Sequence, residues 1–321
     1  MNQPPRFIYL SEEALNGLQV TTAEAVEGIE HMLRGLASSE VWTTAKTGFI
    51  VSDGRYMMST LAAADDPPVL AVKSLVLNPR NPERGLPQIN GTVTMLDSRT
   101  GLPLAVVDGN WVTAVRTAAL SAVAAKRMAR PDSSVAAFIG CGVQANSHLK
   151  AFSDLYPLAE VRAFGRGSAN RDALCATAER MGFTAVASAS GQEAIEGADL
   201  IVTSVTLSAE TQPFLDAAGL RPGAFAAVTD FAAPWIAASM PALDRIIVDD
   251  IEQESTTPYP MVDPKLIRGD LKGLVNGGTP GRESDEEINA FIFRGLAIGD
   301  LALAAVAYRK ASEASAGSTI R

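Results

Sequence analysis

Apolar positions along the chain change their period several times. Over residues 22–36, Ala25, Ile29, Met32, Leu33 and Leu36 recur every three or four residues, the spacing of one helix face. Ser11, backed by Glu12 and Glu13, starts a shorter turn, so residues 11–38 read as helical, with Thr22 ahead of the longer run. From about 47 to 107 the pattern becomes that of strands. GFIVSDGRYMMSTLAA sets an Asp53-Gly54 turn between two short runs, which predicts a hairpin. VLAVKSLVL (69–77) reads as a nearly continuous apolar strand, and GTVTMLDSRTGLPLAVV as a second hairpin. The Ala-rich stretch 113–129 returns to helix, stops before Pro131, and reads as the passage between two domains.

Beyond that helix, short apolar strands alternate with helices. They are VAAFI (135–139), a helix from Gln144, EVRAF (160–164), a helix from Ala169, TAVA (184–187) and a helix near 191–197. DLIVTSV (199–205), AFAAVTD (224–230) and RIIVDD (245–250) follow. Strands this short and uniformly apolar are buried on both faces, which predicts a Rossmann doubly wound parallel sheet. The expected fold class is therefore α/β, with a preceding α+β domain whose sheet is mostly antiparallel. A last helical segment is read from Ser284 through Lys310, and the small polar tail from Ala311 reads as frayed.

Composition adds exclusions. The 321 residues are 47% hydrophobic and 20% charged, enough for two domains with sizeable cores. A formal net charge of −9, with no Lys/Arg cluster, argues against nucleic acid or an anionic membrane as partner. MNQPPRFIYLSEE lacks an apolar leader, and LAIGDLALAAVAY is too short to span a bilayer. With two cysteines, Cys141 and Cys175, the expected compartment is the reducing cytoplasm. His31 and His148 lack ligand spacing, so no metal site is expected.

The chemistry begins at VAAFIGCGVQANSHL. Gly140, Gly142 and Ala145 form a Gly-x-Gly-x-x-Ala turn after a strand and before a helix. Gly140 suits the tight turn, Gly142 lets the backbone approach a pyrophosphate, and Ala145 permits close helix–strand packing. The helix start offers free N–H groups to the anion. The second strand ends AFGRGSANR, with Arg166 and Arg171 where an NAD site usually carries an acid. A guanidinium can hold a 2′-phosphate or stack on adenine, so NAD(H) and NADP(H) both stay open.

Several charges stand in apolar surroundings. Lys73 reads either as a residue of an exposed edge strand, the plainer reading, or as one held in a pocket by an anion. Arg116 is either a solvated residue near a helix start or part of the same anion site, and Lys46 is less distinctive. Two or three such cations converging would suit a carboxylate. Asp230, at the carboxyl end of a strand, is either the N-cap of a helix at 234 or a catalytic base. Asp300, inside an apolar helix, reads as a hydrogen-bonded core or interface residue.

Taken in order, these segments resemble the ornithine cyclodeaminase/mu-crystallin family. The resemblance is carried by Lys73 with NPRNPERGLP (78–87), LDSRTGLPLAVVDG (96–109), VTAVRTAA (112–119) and FIGCGVQA (138–145). The strand ending in Asp230 and GRESDEEINAFIFRGLAIGDLALA (281–304) complete the set. It implies that Lys46, Lys73 and Arg116 hold the substrate carboxylate, with Lys73 and Asp230 in catalytic roles. It places Thr117, Gly140, Gly142, Val143, Gln144, Ala145, Arg166 and Arg171 at the cofactor. It further implies a substrate-binding and dimerisation domain over 1–117, completed by 297–321, a Rossmann domain over 118–296, and a homodimer. The implied activity is NAD(P)H-dependent reduction of an imino acid, linear such as iminosuccinate or a cyclic ketimine, or the equivalent amino-acid dehydrogenation. Alternatives within the resemblance are an ornithine cyclodeaminase-type ammonia lyase and a non-catalytic crystallin-like NAD(P) binder. The family's usual Arg is Lys46 here, and the loop after Asp230 reads FAAPW, departures that point away from the cyclodeaminase.

Overall fold

The structure, a computed structural model, describes residues 6–206 and 211–320; residues 1–5, part of the leader reading, lie outside the described residues. The chain forms two compact units, Met1–Arg116 with Leu296–Arg321, and Thr117–Gly295. Among the described residues no helix is long and apolar enough to cross a membrane.

The first unit opens with β1 (Phe7–Leu10), α1 (Glu12–Gly17) and α2 (Thr22–Ser38). Thr21, one residue ahead of the expected start, caps α2: its hydroxyl accepts the Glu24 N–H while the Glu24 carboxylate accepts the Thr21 N–H. Then come β2 (Val41–Thr43), β3 (Thr47–Ile50), β4 (Tyr56–Asp65), β5 (Pro68–Leu77), β6 (Ile89–Asp97) and β7 (Pro103–Asp108). The loop carrying the Asn-x-x-x-Gly-Leu-Pro run is held by buried Asn81, whose side-chain amide donates to the Pro87 carbonyl at 2.9 Å. The helix α3 (Gly109–Met128) carries the unit boundary between Arg116 and Thr117.

The second unit contains β8 (Val135–Ile139), α4 (Val143–Leu155), β9 (Glu160–Phe164), α5 (Ser168–Arg180), β10 (Thr184–Ala187) and α6 (Gly191–Ile195). It continues with β11 (Leu200–Thr203), β12 (Phe225–Val228), β13 (Arg245–Val248), α7 (Ile251–Thr256), β14 (Ile267–Asp270), α8 (Leu271–Asn276) and β15 (Asn289–Ile292). Its sheet is parallel throughout, in the order β10-β9-β8-β11-β12-β15-β13-β14. The order reverses between β8 and β11, the switch point outside whose carboxyl ends such sheets place ligands.

The chain closes with α9 (Ala297–Ala314) and β16 (Ser318–Ile320), both in the first unit. That sheet runs β16-β1-β7-β6-β5-β4-β2, with β3 also on β4; β1 and β7 are parallel and the other pairs antiparallel. One face packs on α9, which packs in turn on α2. There a Cβ on Gly28 would meet Val306 Cγ2 at 2.9 Å, so the two helices cross closely.

Three expectations are corrected. Lys73 is not on an edge strand, because β5 pairs with β4 and β6 along its length. The helix expected from Ser284 begins only at Ala297; residues 289–292 form β15, fully buried between β12 and β13. An apolar run surrounded on all sides has the same composition as a buried helix turn, so periodicity cannot separate the two. The tail is not frayed throughout: β16 pairs antiparallel with β1 and adds an edge to the sheet.

Candidate functional site

In the first unit the fold gathers charges onto the buried face of the sheet. Lys73, on β5, is 1% exposed and Arg116, on α3, is 8% exposed, which corrects the solvated reading of both. They meet at Asp300 in the first turn of α9. Lys73 Nζ donates to Asp300 Oδ1 at 2.6 Å, and Arg116 Nε lies 3.2 Å from the same oxygen. Thr60, the register partner of Lys73 on β4, donates to Asp300 Oδ2 at 3.1 Å. Burial lowers the Lys73 pKa to about 8, Asp300 opposes that shift, and the charges of Arg116 and Lys46 add to it. Lys46, half-buried between β2 and β3, is thus near enough to be felt at Lys73. Arg116 Nε and Nη1 are buried and have no hydrogen-bond acceptor. A buried guanidinium with unused donors is a receptor for a carboxylate.

In the second unit the glycine turn joins β8 to α4. Gly140 has φ +92°, and a Cβ there would lie 2.5 Å from the Ser204 carbonyl oxygen, so the ends of β8 and β11 approach more closely than a side chain allows. Gly140 N–H donates to the Phe164 carbonyl at 2.8 Å, and the Ser204 hydroxyl to the Gly140 carbonyl at 3.1 Å. Gly142 is different: a Cβ on it would meet nothing within 4 Å. It is the N-cap of α4 with no side-chain cap, next to an exposed Val143. This bare helix start facing open space fits a dinucleotide pyrophosphate. Ala145 is fully buried on the packing side of α4. Three residues further, buried His148 is held neutral, its pKa pushed down to about 4; its Nδ1 donates to the Gln144 carbonyl while Nε2 accepts from Ser121. Cys141 is a small residue fitted to the turn, its thiol donating to the Phe164 carbonyl.

Asp230 lies just beyond β12, next to the switch point. No helix starts at 234, so the N-cap reading is corrected. Its Oδ1 accepts from Thr203 Oγ1 at 2.9 Å and its Oδ2 from the Val205 N–H at 3.0 Å. It is 2% exposed, and burial raises its pKa to about 6 against those hydrogen bonds. Phe231 and Ala232, the next two residues, both have left-handed φ, 57° and 58°. Each costs about 1–2 kcal/mol in a non-glycine residue, a cost met here by contacts including Arg294 stacked 5.4 Å over the Phe231 ring. A raised carboxyl pKa beside local strain is typical of a functional position.

The remaining candidates divide. Thr117 is buried on α3 beside Arg116 in sequence. Arg166 is exposed in the β9–α5 loop, whereas Arg171 is engaged by Asp172 at 2.9 Å. Among the described residues, no three His, Cys, Asp or Glu side chains gather as a metal site would need. Sequence reasoning passed over Asp300 and Thr60 as members of the cation cluster, and over Thr203 as the partner of Asp230. The signal for Asp300 was present, an acid in an apolar helix; Thr60 and Thr203 carried none.

The ornithine cyclodeaminase/mu-crystallin family model matches residues 10–315 of the chain. Ketimine reductase mu-crystallin of Mus musculus is 32% identical, over 78% of this chain and 79% of that protein. The structure of Thermococcus litoralis Delta(1)-pyrroline-2-carboxylate reductase in complex with NADH and L-proline is similar with a TM-score of 0.90 at 27% identity, covering 98% of this chain and 100% of that one. An archaeal alanine dehydrogenase dimer with bound NAD is similar with a TM-score of 0.86 at 28% identity, covering 98% and 99%.

Proposed function

The chain belongs to the ornithine cyclodeaminase/mu-crystallin family, and on that premise we propose that it is an NAD(P)-dependent oxidoreductase that reduces an imino acid at Cα or runs the equivalent amino-acid dehydrogenation. The observation that carries this reading is the buried Lys73–Arg116 pair with unused guanidinium donors, a seat for a carboxylate. Relatives whose structures hold NADH with L-proline, or NAD, support the same cofactor and substrate class. When bound, the nicotinamide supplies the hydride that exchanges with the substrate carbon. Lys46, Lys73 and Arg116 bind and orient the carboxylate, which is the proximity contribution. Asp230 takes up or releases the proton of the substrate nitrogen, directly or through a water. Gly140–Ala145, with Thr117, receive the dinucleotide, and Arg166, exposed in the β9–α5 loop, is available to a 2′-phosphate. With Cys141 and Cys175 free thiols, the protein belongs in a reducing cytoplasm.

The test is a screen of 2-oxo acids with ammonia or methylamine, and of cyclic ketimines, against NADH and NADPH. Oxidation of the cofactor with one of them is the expected result. Conversion of ornithine without net cofactor oxidation would overturn the reading, as would tight cofactor binding with no turnover.

The direction of the pH dependence follows from Asp230. Its carboxyl group is mostly protonated below pH about 6 and ionised above. Amine oxidation needs the base, so its rate should fall as pH drops through about 6; imine reduction, which needs the acid, should lose this contribution as pH rises through the same value. Asp230→Asn should remove that limb and lower kcat by on the order of 10²–10⁴ while sparing cofactor affinity. Pre-steady-state and pH–rate measurements on both directions check it.

We also propose a homodimer built on the sheet face of the first unit that α9 leaves uncovered. Register places Tyr9, Trp42, Phe49, Leu61 and Val72 on that face. Trp42 is 49% and Phe49 60% exposed. Apolar side chains so grouped mark an association surface. Leu61→Glu should convert the dimer to monomer, because identical charges would face each other across a two-fold axis; sedimentation at micromolar concentration reads it out.

A further inference from the structure

The cations assigned to the substrate carboxylate share their cluster with an acid, a group that repels carboxylates. Asp300 lies in the buried part of α9, brought to Lys73 from 227 residues further along the chain. An acid here weakens anion affinity unless the cations depend on it. The other charged groups that act most strongly on Lys73 are positive: Arg116 from α3 and Lys46 from the segment between β2 and β3. The flanking strands offer Lys73 only Thr60 on β4 and Val93 on β6 as register partners, neither charged. A buried ammonium facing two cations would shed its proton, and a neutral amine gives up the charge that attracts a carboxylate.

We propose that Asp300 is a positioning residue that keeps Lys73 an ammonium and turns Arg116, so that both present their free donors to the substrate carboxylate. The inference rests on the proposed seating of that carboxylate on Lys73 and Arg116. Lys73 commits one N–H to Asp300 Oδ1 and retains two. Arg116 turns its Nε toward the same oxygen at 3.2 Å, leaving Nη1 without an acceptor. Thr60 holds Oδ2, which fixes the carboxylate rotamer and with it both cations. Even with Asp300 in place, burial and the two neighbouring cations bring Lys73 down to about 8, close enough to neutrality for the counter-ion to decide its charge.

Lysine-selective NMR of the full chain reads the Lys73 titration directly, independently of any activity. In Asp300→Asn the Lys73 midpoint should fall by about one pH unit or more. In the amine-oxidising direction the alkaline limb of kcat/KM should move down equally, so that at about pH 9, above both midpoints, KM rises by roughly tenfold with kcat changed less. Asp300→Glu, which keeps the charge, should restore most of both. An unmoved Lys73 midpoint, with only the melting temperature lowered, would overturn the inference. A lowered midpoint with an unmoved KM limb would uphold the hold of Asp300 on Lys73 and overturn instead the seating of the carboxylate there. If Asp300→Asn does not fold, the Lys73→Met/Asp300→Asn double variant should, since the stranded ammonium has gone with its counter-ion. A double variant as unstable as the single one would overturn the pairing.

Discussion

Arg116→Ala should lower kcat/KM for the imino or amino acid by on the order of 10²–10⁴ while leaving dinucleotide affinity and fold intact. The guanidinium is buried; its Nε faces Asp300 Oδ1 at 3.2 Å without a hydrogen bond, and its Nη1 has no acceptor. A carboxylate placed there gains charge-assisted hydrogen bonds worth about 1.5–3 kcal/mol each, and a bidentate contact makes two. Folding should survive because Asp300 keeps Lys73 as its partner, so no buried charge is stranded. The loss should appear mainly in KM if the grip is equal in ground and transition states, and in kcat as well if it sets the approach of the reacting carbon. Arg116→Lys should recover little, since a single ammonium cannot reproduce the fork. Steady-state kinetics with nucleotide titration by fluorescence checks both halves; an Ala variant within threefold of the parent would remove Arg116 from the carboxylate seat.

Gly140→Ala and Gly142→Ala should differ sharply in stability, although the two residues are two positions apart in the same turn. At Gly140 the added methyl would lie 2.5 Å from the carbonyl oxygen and 2.7 Å from the carbonyl carbon of Ser204, both backbone atoms that cannot swing aside. The left-handed φ costs alanine about 1–2 kcal/mol, and forcing apart packed strand ends costs about 1–3 kcal/mol more. The Gly140 variant should therefore lose about 2–5 kcal/mol of stability, with nucleotide binding lost alongside. At Gly142 the methyl meets nothing within 4 Å, so stability should change by less than about 0.5 kcal/mol. Dinucleotide affinity should nonetheless fall, because the methyl occupies the space the pyrophosphate needs. Denaturant unfolding with parallel nucleotide titration separates the outcomes. A Gly142→Ala variant that binds as the parent does would place the dinucleotide elsewhere.

Lys73 shows where reading the sequence stopped. Nothing in VLAVKSLVL distinguishes an edge strand from an interior one, because sheet order depends on which strands pair, and β4 and β6 cover β5 from either side. Asp230 was placed at the end of its strand, but its partners Thr203 and Val205 lie 27 and 25 residues away on the neighbouring strand's exit. In the sequence Asp300 is an acid in an apolar helix, which reads as a core or interface group; its link to Thr60 spans 240 residues.

Features written within a few residues of each other were legible from the chain. The α2 face, the Asp53-Gly54 hairpin, the alternating strands and helices and the Gly140–Ala145 turn all rest on side-chain period, turn chemistry or capping, which act over one or two turns of backbone. Whatever depended on burial by distant segments came from folding itself. Residues 289–292 became a strand because β12 and β13 flank them, and the tail became a strand because β1 was there to pair with it. Lys73 and Arg116 became a buried cation pair because α9, from the far end of the chain, set Asp300 between them and took the water away.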